Sequence, residues 1–355
     1  MRFHIVSLPH TQVTRDYDFC AYTAKVRRFS SMMKSLGHET FVYAGFKSEV
    51  DATEHVTVVS SDDLQRWFGH PEWPTNSSFS HWNADHPCWA EMNAHAIAEI
   101  NARFEPGDFI GIIGGNCQLP IYEAFKDRAR VVEWGIGYEG TVSDFRVFES
   151  YAWMHHVAGL QGQRQVKFYD AVIPNSYDEE DFEPLYTRGS YLLFLARPTE
   201  AKGMQIVREI AKRSSLPVVT AGQGPGWLEG AEHRGVVLGK EKAELLAGAA
   251  ALLSPTMYLE PFGGVTIEAM LSGTPVITTN WGVYSETVKN GMNGFRCSTL
   301  REFLSAVERV QGMSMPLRVS SRRAGERYLT TRVRYEYENY FHRLAELDGD
   351  GWYSL

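Results

Sequence analysis

At 355 residues, 44% apolar and 22% charged, the chain is long enough for two domains of ordinary size and has the composition of a globular protein. Its net charge of −8 gives no general attraction for polyanions, and residues 1–170 hold 15 Lys+Arg against 21 Asp+Glu, which disfavours a nucleic-acid groove or an anionic-lipid face there. No run approaches the roughly 18 apolar residues of a membrane span. Residues 1–30 lack a signal peptide's apolar stretch, and Cys20, Cys88, Cys117 and Cys297 are scattered, so a reducing, cytoplasmic setting is expected.

Phe3–Leu8 reads as a first strand, followed by a helix with Val26, Phe29, Met32, Met33 and Leu36 on one face and Gly37 just past its end. Further strands are expected at 39–44, 55–60, 108–113, 130–134 and 171–173. Alternation of this kind predicts a parallel sheet covered by helices. Residues 65–90, rich in Trp, His, Pro, Asn and Ser without a clear period, read as an ordered insertion. The sequon Asn76-Ser77-Ser78 within it reads as plain loop. Asp16-Tyr17-Asp18 has the form of a metal-binding Asp-x-Asp, but it stands in a loop very early in the chain. His70, His81, His86 and His95 with Cys88 match no zinc spacing, and Trp73, Trp82 and Trp89 favour a packed aromatic loop.

After an acidic connector at 178–184 the alternation restarts, with strands expected at 191–196, 217–221, 235–238, 250–254 and 275–279. Arg197 follows the first of these and Lys202 lies five residues on, a spacing that suits two cations clamping phosphates. Gly222-x-Gly224-x-Gly226 is only part of a dinucleotide fingerprint. Glu260-Pro261-Phe262-Gly263-Gly264-Val265-Thr266-Ile267-Glu268-Ala269-Met270 ends a strand with an acid and a Gly pair, then opens a helix carrying a second acid. A Gly-rich turn into a helix N-terminus suits a phosphate, and two carboxylates beside it suit hydroxyls. Phosphate beside polyol predicts a nucleotide sugar. The last helix carries Tyr337, Tyr340, Phe341, Leu344 and Leu347 on one stripe.

The chain resembles the family 4 retaining glycosyltransferases of the GT-B fold, whose donor site carries Glu, seven residues, Glu, as Glu260 and Glu268 do here. Val172-Ile173-Pro174-Asn175 resembles that family's inter-domain junction, and Phe194-Leu195-Ala196-Arg197 with Lys202-Gly203 resembles its donor element. Thr220-Ala221-Gly222-Gln223-Gly224-Pro225 and Asn290-Gly291-Met292-Asn293-Gly294-Phe295 also fit. The match covers the C-terminal half; the N-terminal half matches in layout alone. The resemblance implies an α/β fold of two Rossmann-like, doubly wound domains facing each other across a cleft. An acceptor domain would span 1–174 and a nucleotide-sugar domain 175–332, with 333–355 a terminal helix crossing back to the first.

The resemblance further implies a retaining, metal-independent hexosyltransferase-like enzyme without a cofactor. It would take a UDP- or GDP-sugar first of all as donor, and an unidentified hydroxyl as acceptor. Arg197 and Lys202 would stabilise the leaving diphosphate, and Glu260 would read the transferred sugar. Glu268, roughly 7 Å into its helix, would hold the ribose hydroxyls. Gly263, Gly264 and Val265, beside Phe262, would offer backbone N–H groups to phosphate. His10 and Thr11 lie where the family keeps a Gly-rich turn, and Gly137, Tyr138 and Glu139 where relatives carry a His; all five are candidate cleft residues. A nucleotide-sugar epimerase of the same fold and a sugar-nucleotide-binding protein without turnover are the alternatives.

Overall fold

The computed structural model describes residues 1–73, 79–163, 167–187, 189–224 and 227–350. The sequon at 76–78, Pro225 and Gly226 of the glycine run, and the last five residues fall outside these. The chain divides into two compact units, described separately: Met1–Glu149 with Met154–Ser176 and the stretch from Val333 onward, and Ser150–Trp153 with Tyr177–Arg332.

The first unit holds seven strands: β1 (Arg2–Val6), β2 (Glu39–Gly45), β3 (Glu54–Val59), β4 (Phe109–Ile112), β5 (Arg130–Ile136), β6 (Phe145–Phe148) and β7 (Ala171–Val172). They pair in parallel in the order β3-β2-β1-β4-β5-β6-β7. Alternate residues feed two cores, one on each face. Phe3, Ile5 and Val42 pack with Val26, Phe29, Met32 and Met33 of helix Ala21–Ser35. Val6, Phe41 and Tyr43 pack with Leu64, Met92, Ala96, Ile100, Ile121 and Phe125 from three other helices. The last helix, Thr330–Asp350, belongs to the first of these cores: Phe341 meets Phe3 edge-on at 4.7 Å, and Tyr337 meets Phe29 at 5.1 Å.

The second unit repeats the plan with β8 (Leu192–Leu195), β9 (Val218–Ala221), β10 (Glu232–His233), β11 (Ala251–Ser254), β12 (Val276–Thr279) and β13 (Gly294–Cys297), all parallel, in the order β10-β9-β8-β11-β12-β13. Leu193, Val219, Leu252 and Val276 face one core with helix Gly264–Leu271. Leu192, Phe194, Leu253 and Ile277 face the other, with Met204, Val207, Ile210, Phe303 and Val307. Both sheets therefore have the doubly wound Rossmann order, which reverses direction between the first and fourth strands of each unit and opens a ligand crevice beyond the carboxyl ends there.

The sequence reading misses β6 and β13 and misplaces β10. In β6 the central Arg146 breaks the apolar run, yet it is buried because Asp170 accepts from its guanidinium at 2.6 and 2.8 Å. β10 lies at Glu232–His233, not 235–238, and Val236 and Leu238, which suggested the strand, are exposed. The insertion is less irregular than its composition suggests. Helix Ser61–Phe68 enters it with a capping box between Ser60 and Asp63 and ends on left-handed Gly69, and helix Pro87–Asn101 begins inside it with Pro at the first position. Ser150–Trp153 joins the second unit: Ser150 Oγ donates to the Pro261 carbonyl at 2.6 Å, and the Glu286 carboxylate accepts from the Tyr151 and Ala152 N–H groups. No described helix is long and apolar enough to cross a membrane.

Candidate active site

The crevice of the second unit is built where β8 and β11 end. After β8 the chain passes Arg197 and makes a short turn at Glu200–Lys202, where the Thr199 side chain accepts from the Lys202 N–H. Gly203 follows with φ 79°; a Cβ there would fall 2.0 Å from the Pro255 carbonyl oxygen, so only glycine lets this turn lie against the chain leaving β11. The Met257 N–H donates to the Ala201 carbonyl at 2.8 Å and ties the two loops together.

This join carries Lys202 to Glu260. Lys202 Nζ donates to Glu260 Oε2 at 2.7 Å, and Tyr258 Oη donates to the same oxygen at 2.8 Å. Nζ also reaches Tyr258 Oη and lies 4.7 Å from the centre of that ring. Burial, then the Glu260 carboxylate, pushes the Tyr258 hydroxyl's pKa up, so Tyr258 donates and stays neutral. The cluster borders a cavity of about 260 Å³ lined also by Ser254, Thr256, Gly263, Gly264 and Val265.

Helix Gly264–Leu271 opens on that cavity. Gly263 precedes it with φ 70°, and a Cβ on Gly264 would sit 2.6 Å from Tyr177 Oη, so the Gly pair satisfies both a left-handed turn and a close approach. Behind the turn, Tyr284 Oη is hydrogen-bonded to Ser254 Oγ at 2.8 Å and Thr256 Oγ1 at 3.2 Å. The Thr266 N–H is turned to the Gly263 carbonyl at 2.9 Å, whereas the Gly264 and Val265 N–H groups have no acceptor among the described residues, and the helix dipole adds partial positive charge beside the Lys202 ammonium. Among the described residues the cavity thus offers a cation, the Gly264 and Val265 amides and one carboxylate: chemistry for an anion joined to a hydroxylated group.

Not every expected residue reaches the cavity. Lys202, Glu260, Gly263, Gly264 and Val265 line it. Arg197 does not; its guanidinium is exposed, without a hydrogen bond or ion pair among the described residues, though its charge is felt at Tyr258. Phe262 is a core ring, 3% exposed and edge-on to Tyr328 at 5.8 Å, so it anchors the turn instead of presenting a face to a ligand. Glu268 lies a turn deeper on the helix, where Lys242 Nζ donates to its Oε1 at 2.8 Å. Sequence reasoning passed over Tyr258 and Lys242. Tyr258 stands two residues before Glu260, close enough to have been found; Lys242 becomes a partner only through the fold.

In the first unit, His10 is 2% exposed and stacked on Phe79 at 3.6 Å, with Trp73 and Trp82 edge-on, and burial pushes its pKa down to about 3. Thr11 is buried against Thr23, with 2.6 Å between hydroxyls. Both therefore hold the loop after β1 instead of presenting polar groups at a surface. Gly137 lies against the buried Glu149, where a Cβ would come 2.6 Å from the carboxylate. Tyr138 Oη donates to Glu133 at 2.9 Å, and Glu133 also accepts from the Val142 and Ser143 N–H groups. Glu139 is exposed and pairs with His156 at 3.1 Å. Asp18 is occupied by Arg27 at 2.7 and 3.1 Å. Among the described residues no three His, Cys, Asp or Glu side chains gather as a metal site would.

Residues 189–311 match the family described as Glycosyl transferases group 1. That match lies within the second unit. An uncharacterized glycosyltransferase of Methanocaldococcus jannaschii is 34% identical over 119 residues, 29% of this chain and 30% of that protein. Glycogen synthase of Mycobacterium tuberculosis is 45% identical over 58 residues, 16% of this chain and 14% of that enzyme. The chain thus spans less than a third of the length of these curated relatives. Among solved structures, AviGT4, a glycosyltransferase involved in avilamycin A biosynthesis, superposes with a TM-score of 0.66 at 18% identity, covering 97% of this chain and 98% of its own. HepE of Anabaena, solved in complex with UDP and glucose, gives 0.65 at 14% identity, covering 96% and 98%. At such identities the likeness is one of fold. It is the GT-B fold, of which the second unit is one Rossmann-like half and residues 1–149 with 154–176 form most of the other.

Proposed function

We propose that the protein is a retaining glycosyltransferase that binds a nucleoside diphosphate sugar in its second unit and transfers the sugar to a hydroxyl acceptor. The observation that carries this reading is the single cavity in which Lys202, Glu260 and the N-terminus of helix Gly264–Leu271 meet. The leaving diphosphate needs stabilisation as its charge develops. Lys202 and the Gly264 and Val265 amides would supply it in place, and Arg197, without a side-chain partner among the described residues, would close on the same group. Glu260 is, among the described residues, the only carboxylate lining the cavity, and it already accepts from Lys202 and Tyr258. That engagement favours a role in holding sugar hydroxyls over one as a nucleophile, and so favours transfer on one face of the sugar assisted by the leaving phosphate. The UDP and glucose bound by HepE make UDP-sugars the first donors to test.

Two substitutions separate the proposed roles. Glu268→Ala should raise the dissociation constant of the nucleoside diphosphate about tenfold while leaving turnover at saturation near wild type. Glu260→Ala should lower kcat about a hundredfold with little change in nucleotide binding. Calorimetric titration and steady-state kinetics on the same preparations read both quantities, and wild-type values in both variants would overturn the assignment.

A further inference from the structure

Glu268 is not an isolated acid. Lys242 is the fourth residue of helix Gly239–Gly248, and its ammonium spans the gap to helix Gly264–Leu271 to donate to Glu268 Oε1 at 2.8 Å. The side chains are 25% and 15% exposed, so the pair sits at the rim of the domain and not in its core. Glu268 Oε2 has no partner among the described residues. A glutamate on a helix has three rotatable bonds, and a recognition group is useful only if one rotamer is held before the ligand arrives. The Lys242 ammonium holds it. It takes one lone pair of Oε1, leaving the other and both of Oε2 as acceptors. Two adjacent open acceptor sites on one fixed carboxylate match vicinal hydroxyls, as on the 2′ and 3′ carbons of a ribose.

We propose that Lys242 is the positioning residue for nucleoside recognition: it fixes Glu268 so that the carboxylate takes both ribose hydroxyls, which makes the domain select ribonucleoside over 2′-deoxyribonucleoside diphosphates. The proposal rests on the donor reading above. It goes beyond it in naming a residue that acts only through Glu268 and the selectivity that follows. A partly exposed ion pair contributes little to folding, so a stabilising role alone would not move nucleotide affinity.

The test is calorimetric titration of UDP, GDP and ADP, and of the 2′-deoxy form of whichever binds. The proteins are wild type, Lys242→Met, Lys242→Arg, Glu268→Ala and the Lys242→Met/Glu268→Ala double variant, each with its melting temperature as a check on folding. Lys242→Met should weaken the ribonucleotide about fivefold to tenfold and narrow its advantage over the deoxynucleotide; Lys242→Arg should restore most of both. The double variant should bind no more weakly than Glu268→Ala alone, because a residue acting through Glu268 has nothing to position once Glu268 is gone. Additive losses, or unchanged affinity and selectivity in a folded Lys242→Met, would overturn the proposal while leaving the donor reading intact. If wild type binds none of the three diphosphates, both fall together. Should Lys242→Met not fold, Lys242→Arg and Glu268→Ala still decide it: arginine keeps the charge and contact, so a loss there as large as in Glu268→Ala contradicts a positioning role.

Discussion

Replacing Lys202 with alanine is expected to lower kcat with a sugar nucleotide by about 10²–10³-fold, the effect of removing one preorganised group from a developing anion. The ammonium lies 2.7 Å from Glu260 and borders the cavity into which helix Gly264–Leu271 opens, so it can pass between the resident carboxylate and an arriving phosphate without leaving the site. Its removal also leaves Glu260 with Tyr258 as its remaining side-chain donor among the described residues. Both changes act on charge that grows towards the transition state, so the loss should appear mainly in kcat and only weakly in KM. Stability should change by less than about 1 kcal/mol, the usual worth of a pair that solvent still reaches. Steady-state kinetics beside a melting curve check the prediction; a large loss of stability with kcat preserved would make Lys202 a structural residue.

Arg318→Met is expected to destabilise the second unit by roughly 3–5 kcal/mol, as leaving several buried carbonyls without their donor does. Arg318 is 1% exposed and sits among backbone carbonyls: Nε donates to Leu185 at 2.6 Å, Nη1 to Ala249 at 2.7 Å, and Nη2 to Ala247. Burial lowers its pKa, but a guanidinium remains charged at any ordinary pH. Ala247 and Ala249 end helix Gly239–Gly248, where a cation also opposes the negative end of the helix dipole. Methionine fills similar space and satisfies none of these oxygens, so the cost is that of orphaned carbonyls in a dry site, not of a cavity. Urea unfolding followed through the second unit's own transition would measure it, and a shift under about 1 kcal/mol would mean that water reaches the carbonyls once the arginine is gone.

Much of this architecture can be read from the chain. Leu192–Leu195, Ala251–Ser254 and Val276–Thr279 are buried on both faces, so their apolar runs stand out, and the stripe from Tyr337 to Leu344 marks one face of a helix at its proper period. β6 stays hidden because burial of Arg146 depends on Asp170, 24 residues away, and no window of local sequence contains both. The site shows the same division. Glu260, the Gly pair and Glu268 fall within nine residues and can be recognised together. The Lys202–Glu260 contact joins residues 58 apart and the Lys242–Glu268 contact residues 26 apart, so Lys202 and both acids can be found singly, but Lys242, and the fact that each pair meets, only through the sheet order. The pairing of Arg197 with Lys202 as a clamp is a sequence expectation that geometry divides: Lys202 lines the cavity, and Arg197 stands outside it.

Whether the second unit holds a nucleoside diphosphate sugar is decided by thermal shift of the protein with UDP, GDP, ADP, TDP and CDP and their common sugars, with NAD as control. A ligand at about a hundred times its dissociation constant stabilises the folded state by roughly 2.7 kcal/mol, a shift well within reach of the method. A donor site there should give a clear upward shift with one nucleotide family and its sugars, diminished in Glu268→Ala and absent with NAD. A folded protein that responds to none of them, or to NAD alone, would contradict it.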